Sequence, residues 1–260
     1  MMPETGVGSF RELTAALWAA RRELGNRIVW YRGHRCAAWS LRPSVAREFT
    51  LWDERNMVSK FMLDARVRHP ACPHQQDSAG WLSLMRHYGL PTRLLDWTES
   101  PMVAAFFAVA FEAPEGDAAV WQLVPGQLNQ RVSSEDTVPL LGDCRGVLEP
   151  ALTREVDDVD HVVAAYAPRT DLRMLVQQAA YTVHGKGVAI EQLQGSESFL
   201  SKFVIPLDAV ANVCDGLRLC GIRRRDLYPD LANLAADIAD EHRAIVRQHT
   251  RAAPEADAQT

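Results

Sequence analysis

Arg32 and Gly33 follow the apolar run Ile28-Val29-Trp30-Tyr31. An arginine presented by a buried strand offers a planar fork of N–H donors on a fixed backbone, which suits phosphate or carboxylate. The glycine beside it permits close approach. A second group of chemistry-bearing residues runs from His87 to Ser100. His87 could act as a general acid or base, or stack on a ligand. Its structural reading is a protonated imidazole at a helix C-terminus. Asp96, between Leu95 and Trp97, needs a partner if it is buried, and Arg32, Arg93 and His87 are the natural ones. Ser100 before Pro101 is explained as a helix N-cap, whereas Thr98 has no such explanation. His69, Cys72 and His74 have the donor types for zinc, but no fourth ligand stands near them, so no metal is expected.

These residues need elements to hold them. Ser9 and Glu12 form a capping box for a first helix that Gly25 stops. Residues 28–31 read as a short strand ending at Arg32-Gly33. One long amphipathic helix is expected over 45–68 and a shorter one over 78–88, stopped by Gly89. Residues 93–97 read as a strand, and 102–111 as a helix apolar nearly all round and therefore deeply buried. Further strands are expected at 119–124, 161–166, 181–184 and 199–205, with a helix from about 171. Residues 125–155 lack periodicity and read as a long loop. Two helices, 207–220 and 231–248, close the chain. The pattern is α+β: short strands in a small mixed or antiparallel core, surrounded by helices, with a helical C-terminal part. Residues 1–249 form one domain in this reading, and 250–260 a disordered tail.

The bulk composition agrees. The chain has 260 residues, 47% of them hydrophobic, enough for a sizeable core. The net charge of -5 gives no strong nucleic-acid footprint. No apolar run reaches the roughly 18 residues of a membrane span. The start of the chain has no basic and apolar leader pattern, and five scattered cysteines without a C-x-x-C pair suit a reducing compartment, so a cytoplasmic protein is expected.

Trp30-Tyr31-Arg32-Gly33-His34, Trp39-Ser40-Leu41-Arg42-Pro43-Ser44 and the string from His87-Tyr88-Gly89-Leu90-Pro91-Thr92-Arg93 through Leu94-Leu95-Asp96-Trp97-Thr98-Glu99-Ser100-Pro101 resemble the FRG domain family. The likeness is strongest over 28–112. It continues more weakly through residues 177–181, 203–206 and 227–231. The family is found in bacteria and phages, and the resemblance implies a site around these motifs. The layout is also similar to ADP-ribosyltransferases of the Arg-Ser-Glu class. That likeness implies that Arg32 holds the pyrophosphate of NAD and that Thr98 braces the site. It puts Gln177 and Gln178 where the class has its glutamates, with Gln178 on the nicotinamide ribose. Glutamine cannot supply the charge that an oxocarbenium-like sugar calls for, so either catalysis is lost or the carboxylate falls elsewhere, for instance at Asp96 or Glu191. With Arg32, His87, Thr98 and Gln178 as the reacting set, the remaining ligand contacts are Tyr31, Gly33, Tyr88, Thr92, Arg93, Asp96, Ser100 and Gln177.

Three functions follow as expectations. The first is an NAD-consuming enzyme, a transferase or glycohydrolase serving as a toxin or defence effector. The second is a module that binds a nucleotide or other phosphorylated small molecule without chemistry. The third, a nuclease or phosphodiesterase, lacks the several carboxylates that metal-dependent examples gather.

Overall fold

The computed structural model describes residues 4–133, 135–153 and 160–252. The elements run β1 (Glu4–Gly6), α1 (Phe10–Glu23), β2 (Trp30–His34), α2 (Val45–Glu48), α3 (Leu51–Ala65) and α4 (Ser78–His87). Then come β3 (Leu94–Thr98), α5 (Pro101–Val109), β4 (Ala118–Leu123), α6 (Pro125–Asn129), α7 (Arg145–Leu148) and β5 (Val162–Tyr166). The chain ends with α8 (Leu172–Val176), β6 (Ala179–His184), β7 (Leu200–Ile205), α9 (Val210–Leu219), α10 (Arg224–Leu227) and α11 (Leu231–Ala252). This is the α+β class expected, with a mixed sheet of seven strands in the order β1-β7-β4-β2-β3-β6-β5. All neighbours are antiparallel except β1 and β7.

One junction in that sheet is weak. β2 pairs with β4 along its whole length, from Trp30–Leu123 to His34–Ala119. β3 pairs with β6 from Leu94–Val183 to Thr98–Ala179. Between β2 and β3, however, the register holds at a single pair, Tyr31 with Thr98. Past that pair the strands part, so the sheet is two half-sheets hinged at one point.

The halves have separate helical covers on one face. Leu13 and Leu17 of α1, Phe106 of α5, and Val213 and Leu217 of α9 bury Tyr31, Val120 and Phe203. Beside them Val58 of α3, Leu82 and Met85 of α4, and Leu148 bury Leu94, Tyr181 and Val183. The opposite face is closed by Trp30, Leu95, Trp97, Trp121 and Phe199 with Leu41, Leu128 and Ile190. Period-two alternation along β3 and β6 sends neighbouring residues to these opposite layers.

Several boundaries correct the sequence reading. The strand after Ile28 continues through Arg32-Gly33 to His34, because β4 supplies a full antiparallel partner. The helix expected over 45–68 breaks at Phe49-Thr50. There Thr50 Oγ1 accepts from Asp53 N, and Asp53 Oδ2 accepts from Thr50 N, a capping box that starts α3 afresh. The loop expected over 125–155 carries α6, α7 and 3-10 turns at Leu141–Asp143 and Glu149–Ala151. These elements are too short to show periodicity. Part of that stretch, residues 134 and 154–155, lies outside the described residues, as does 253–260 of the expected tail, while 250–252 belong to α11. β1 and α10 were not expected. Among the described residues no helix is long and apolar enough to cross a membrane.

Gly33 is where β2 meets α5. A Cβ there would overlap the Ala104 carbonyl oxygen and lie 2.6 Å from Ala108 N. The glycine therefore serves helix packing over β2. Gly33→Ala is expected to push α5 off the sheet at a cost of about 1–3 kcal/mol, read as a lower urea midpoint; an unchanged midpoint would contradict this packing.

Candidate functional site

Where β2 and β3 part, a cleft of about 360 Å³ opens. Ligand pockets run from roughly 300 to 1,000 Å³. Its floor is Tyr31, Gly33, Asp96, Thr98, Ala179 and Tyr181, and its walls include Arg86 and His87 of α4, Phe107 of α5, and Arg173 and Gln177 of the α8 segment. Trp39, Arg47, Phe111 and Tyr228 complete the rim.

Arg32 lies in the gap. Its Nη1 donates to the Asp96 carbonyl oxygen at 2.5 Å and lies 3.8 Å from Asp96 Oδ2. Its Nε is 3.0 Å from His34 Nε2. The side chain thus spans a break in the sheet that backbone bonds leave open. Burial lowers its pKa to about 10, against the pull of Asp96 and with Arg86 and Arg47 adding to the fall. It remains a cation at neutral pH.

Asp96 has Arg86 as its nearest partner: Oδ2 accepts from Arg86 Nε at 2.9 Å and from Nη2. Burial works against its charge, but Arg86, then Arg32 and Arg173, outweigh it and hold the carboxyl below its ordinary range. The side chain still keeps 41% of its surface open. Arg47 donates to the Arg42 and Ser40 carbonyls. Burial, then Arg86 and Arg42, press its pKa down. Arg32, Arg35, Arg47, Arg86 and Arg173 therefore face a cleft whose carboxylates are Asp96 and Glu112, and Glu112 is taken by Arg35 at 3.2 Å. The excess of positive charge suits an anionic ligand.

Beside the arginines stands an aromatic wall. Tyr228 stacks on Phe111 at 5.1 Å and 16°, and the Arg173 guanidinium lies over the Tyr228 ring at 4.4 Å. Phe107 meets Phe111 edge-on. The helix expected to be deeply buried is so at residues 103–106, 108 and 109; it ends at Val109 and gives half-buried Phe107 to the cleft, with half-buried Phe111 just beyond it.

The expected residues divide. Arg32, Tyr31, Gly33, His87, Asp96, Thr98 and Gln177 come together in the cleft. Thr98 Oγ1 donates to the Gln177 carbonyl at 2.7 Å and accepts from Ser100 N, and Gln177 Nε2 donates to the Leu227 carbonyl. Gln178 is exposed with φ 48 and does not line the cleft. Glu191 accepts from Leu41 N with both oxygens, away from the cleft. Arg93 is not a partner of Asp96; it forms a buried ion pair with Glu54 at 2.7 Å. Thr92 is fully buried and accepts from Leu94 N. Tyr88 is exposed on the far side of His87, and Ser100 caps α5 through Val103 N. His87 is the last residue of α4. Burial lowers its pKa, Asp171 opposes that, and Arg173 and His69 add to it. Desolvation outweighs the pull of Asp171 here. Among the described residues no three His, Cys, Asp or Glu side chains gather as a metal site.

Arg86, Arg173 and Tyr228 were missed. Arg86 directly precedes the His87 string, and Tyr228 lies within the weaker segment at 227–231, so position next to a motif was the available signal.

A mixed sheet that parts around an arginine-rich, aromatic-walled cleft defines an α+β domain with a cavity of ligand-pocket size. Residues 27–117 match the family model of the FRG domain, and the chain carries that domain there. The match contributes β2 through α5, while β6, α8 and Tyr228 on the cleft's other wall lie beyond it. No curated protein and no solved structure matches the chain.

Proposed function

We propose that the cleft binds a dinucleotide of the NAD type and breaks its bond between nicotinamide and ribose. The observation that carries this reading is the guanidinium of Arg32 inside the parted sheet, with Arg86 and Arg47 beside it and an exposed carboxylate between them. Guanidinium groups chelate phosphate oxygens in pairs. The faces of Tyr228 and Phe111 suit a planar base or nicotinamide ring. Cleavage builds positive charge on the ribose, and a fixed carboxylate stabilises it. Asp96 takes that part in place of Gln178, because its carboxyl stays ionised and open while Gln178 stands outside.

The pairing of Asp96 with Arg86 favours a second reading, a module that binds the nucleotide without cleaving it. Calorimetry separates the two from an empty assignment. Wild type is expected to bind NAD in the micromolar range. Arg32→Ala is expected to lose about 2 kcal/mol or more of affinity, roughly thirtyfold, in a protein still folded at the assay temperature. Asp96→Asn is expected to bind but to release no nicotinamide. Equal affinity in wild type and Arg32→Ala would place the ligand elsewhere.

A further inference from the structure

His87 belongs to two cavities. One is the cleft. The other, about 690 Å³, lies behind it and is lined by His69, Tyr88, Leu141, Thr170 and Asp171 among others. His87 stands where they meet. Its Nδ1 is 3.2 Å from Asp171 Oδ2. Asp171 is itself fixed, since Oδ1 accepts from Met174 N at 2.9 Å as the cap of α8. The ring is held edge-on by Tyr88 at 5.0 Å, and the His87 carbonyl accepts from Arg173 Nη1. With the proton on Nδ1, beside the Asp171 carboxylate, Nε2 is left as an acceptor, and among the described residues it has no hydrogen-bond partner. An oriented, neutral imidazole with a free nitrogen is the arrangement of a general base.

We infer that His87, positioned by Asp171, is the general base of the reaction in the cleft, and that the second cavity seats a hydroxyl-bearing acceptor. This rests on the NAD reading above. The second cavity is far larger than one water requires, and the exposed Tyr88 on its wall offers a ring to an incoming group. The acceptor O–H gives its proton to Nε2. Its oxygen forms the new bond to ribose C1′. The C1′–N bond breaks, its electron pair leaves with the ring, and nicotinamide departs neutral. The groups facing the imidazole are Asp171 and Arg173 from the α8 segment, His69 from the segment after α3, and Tyr88 from its own chain neighbour. Asp171 is the sole carboxylate among them, and it favours the protonated ring.

The test follows labelled NAD in wild type, His87→Gln and Asp171→Asn, with benzyl alcohol as the hydroxyl probe. Nicotinamide release and the ratio of benzyl ADP-riboside to ADP-ribose are both measured. Wild type is expected to give the riboside. His87→Gln is expected to lose about 10²–10⁴-fold in kcat, with KM for NAD within about twofold of wild type, as expected for a proton-transfer role that leaves ground-state binding intact. Asp171→Asn keeps the cap, since Asn also caps well, and is expected to lose less rate and to move the acid limb of the kcat profile to lower pH. A His87→Gln enzyme with wild-type kcat, or one altered in KM alone, would overturn the inference and leave the cleft reading standing. Hydrolysis without riboside would overturn the acceptor seat. No release by the wild type would overturn the cleft reading and this inference with it.

Discussion

Glu54→Ala is expected to destabilise the fold by about 3–5 kcal/mol, because it breaks a buried, hydrogen-bonded ion pair by removing one partner. The two side chains are 3% and 4% exposed. Glu54 takes the Arg93 backbone N–H at 3.1 Å as well as two guanidinium nitrogens, and Arg93 Nη1 donates to the Val147 carbonyl at 2.7 Å. The pair therefore ties α3 and the chain after α4 to the start of β3 and to α7. For a chain of this size each kcal/mol moves the melting temperature by roughly 2–4 °C, so calorimetry should read a fall of roughly 6–20 °C. Replacing both residues with apolar ones of similar volume is expected to recover most of it. A Glu54→Ala protein that melts with the wild type would refute the view of this pair as an anchor.

Acid is expected to remove about 3 kcal/mol of stability through His184 as pH falls from 6.5 to 4. The side chain is buried between two partners: Nδ1 donates to the Val188 carbonyl at 2.8 Å, and Nε2 accepts from the Thr182 hydroxyl at 2.9 Å. That assignment is consistent with Trp97, whose Nε1 donates to Thr182 Oγ1 at 3.0 Å. The chain Trp97 to Thr182 to His184 to Val188 thus needs a neutral ring. Burial lowers the His184 pKa to about 4; the Val188 bond opposes this, while Arg32 and Arg42 add to it. A histidine with a depressed folded pKa binds fewer protons folded than unfolded below the ordinary value of 6.5. Stability is therefore full above pH 6.5 and declines until pH reaches the folded pKa. His34, lowered well below its ordinary value by burial and Arg32, bends the curve the same way. Urea midpoints measured across this range should fall in the wild type and flatten in His184→Gln. Identical slopes in both would assign the acid sensitivity to other groups.

Local chemistry made part of the fold legible. Ser9 with Glu12 marked α1, and Ser100 with Pro101 marked α5, because a cap satisfies backbone donors within a few residues. The same chemistry at Thr50 and Asp53 was hidden by an apolar period that runs on through the break. β1 is three exposed residues that exist as a strand only through pairing with β7, almost the whole chain away. No local pattern announces such an element.

The cleft was legible in the same uneven way. Arg32, Asp96 and Thr98 could be named from motif strings, since strand alternation puts polar residues among buried neighbours where they must find partners. Which arginine meets Asp96 could not. Arg86 and Arg93 flank the same turn, and the choice between them depends on Glu54 reaching Arg93 from α3. Arg173 and Tyr228 enter only because the C-terminal segment folds back beside α8. Gln178 was placed by spacing, and the left-handed turn after α8 carries it outside.

The most direct measurement is the release of nicotinamide from labelled NAD by wild type beside Arg32→Ala, both checked for folding by melting temperature. Release by the wild type that falls by orders of magnitude in a well-folded Arg32→Ala protein is the expected result. Release at the same rate in both, or none from the wild type, would contradict an NAD-consuming cleft around Arg32.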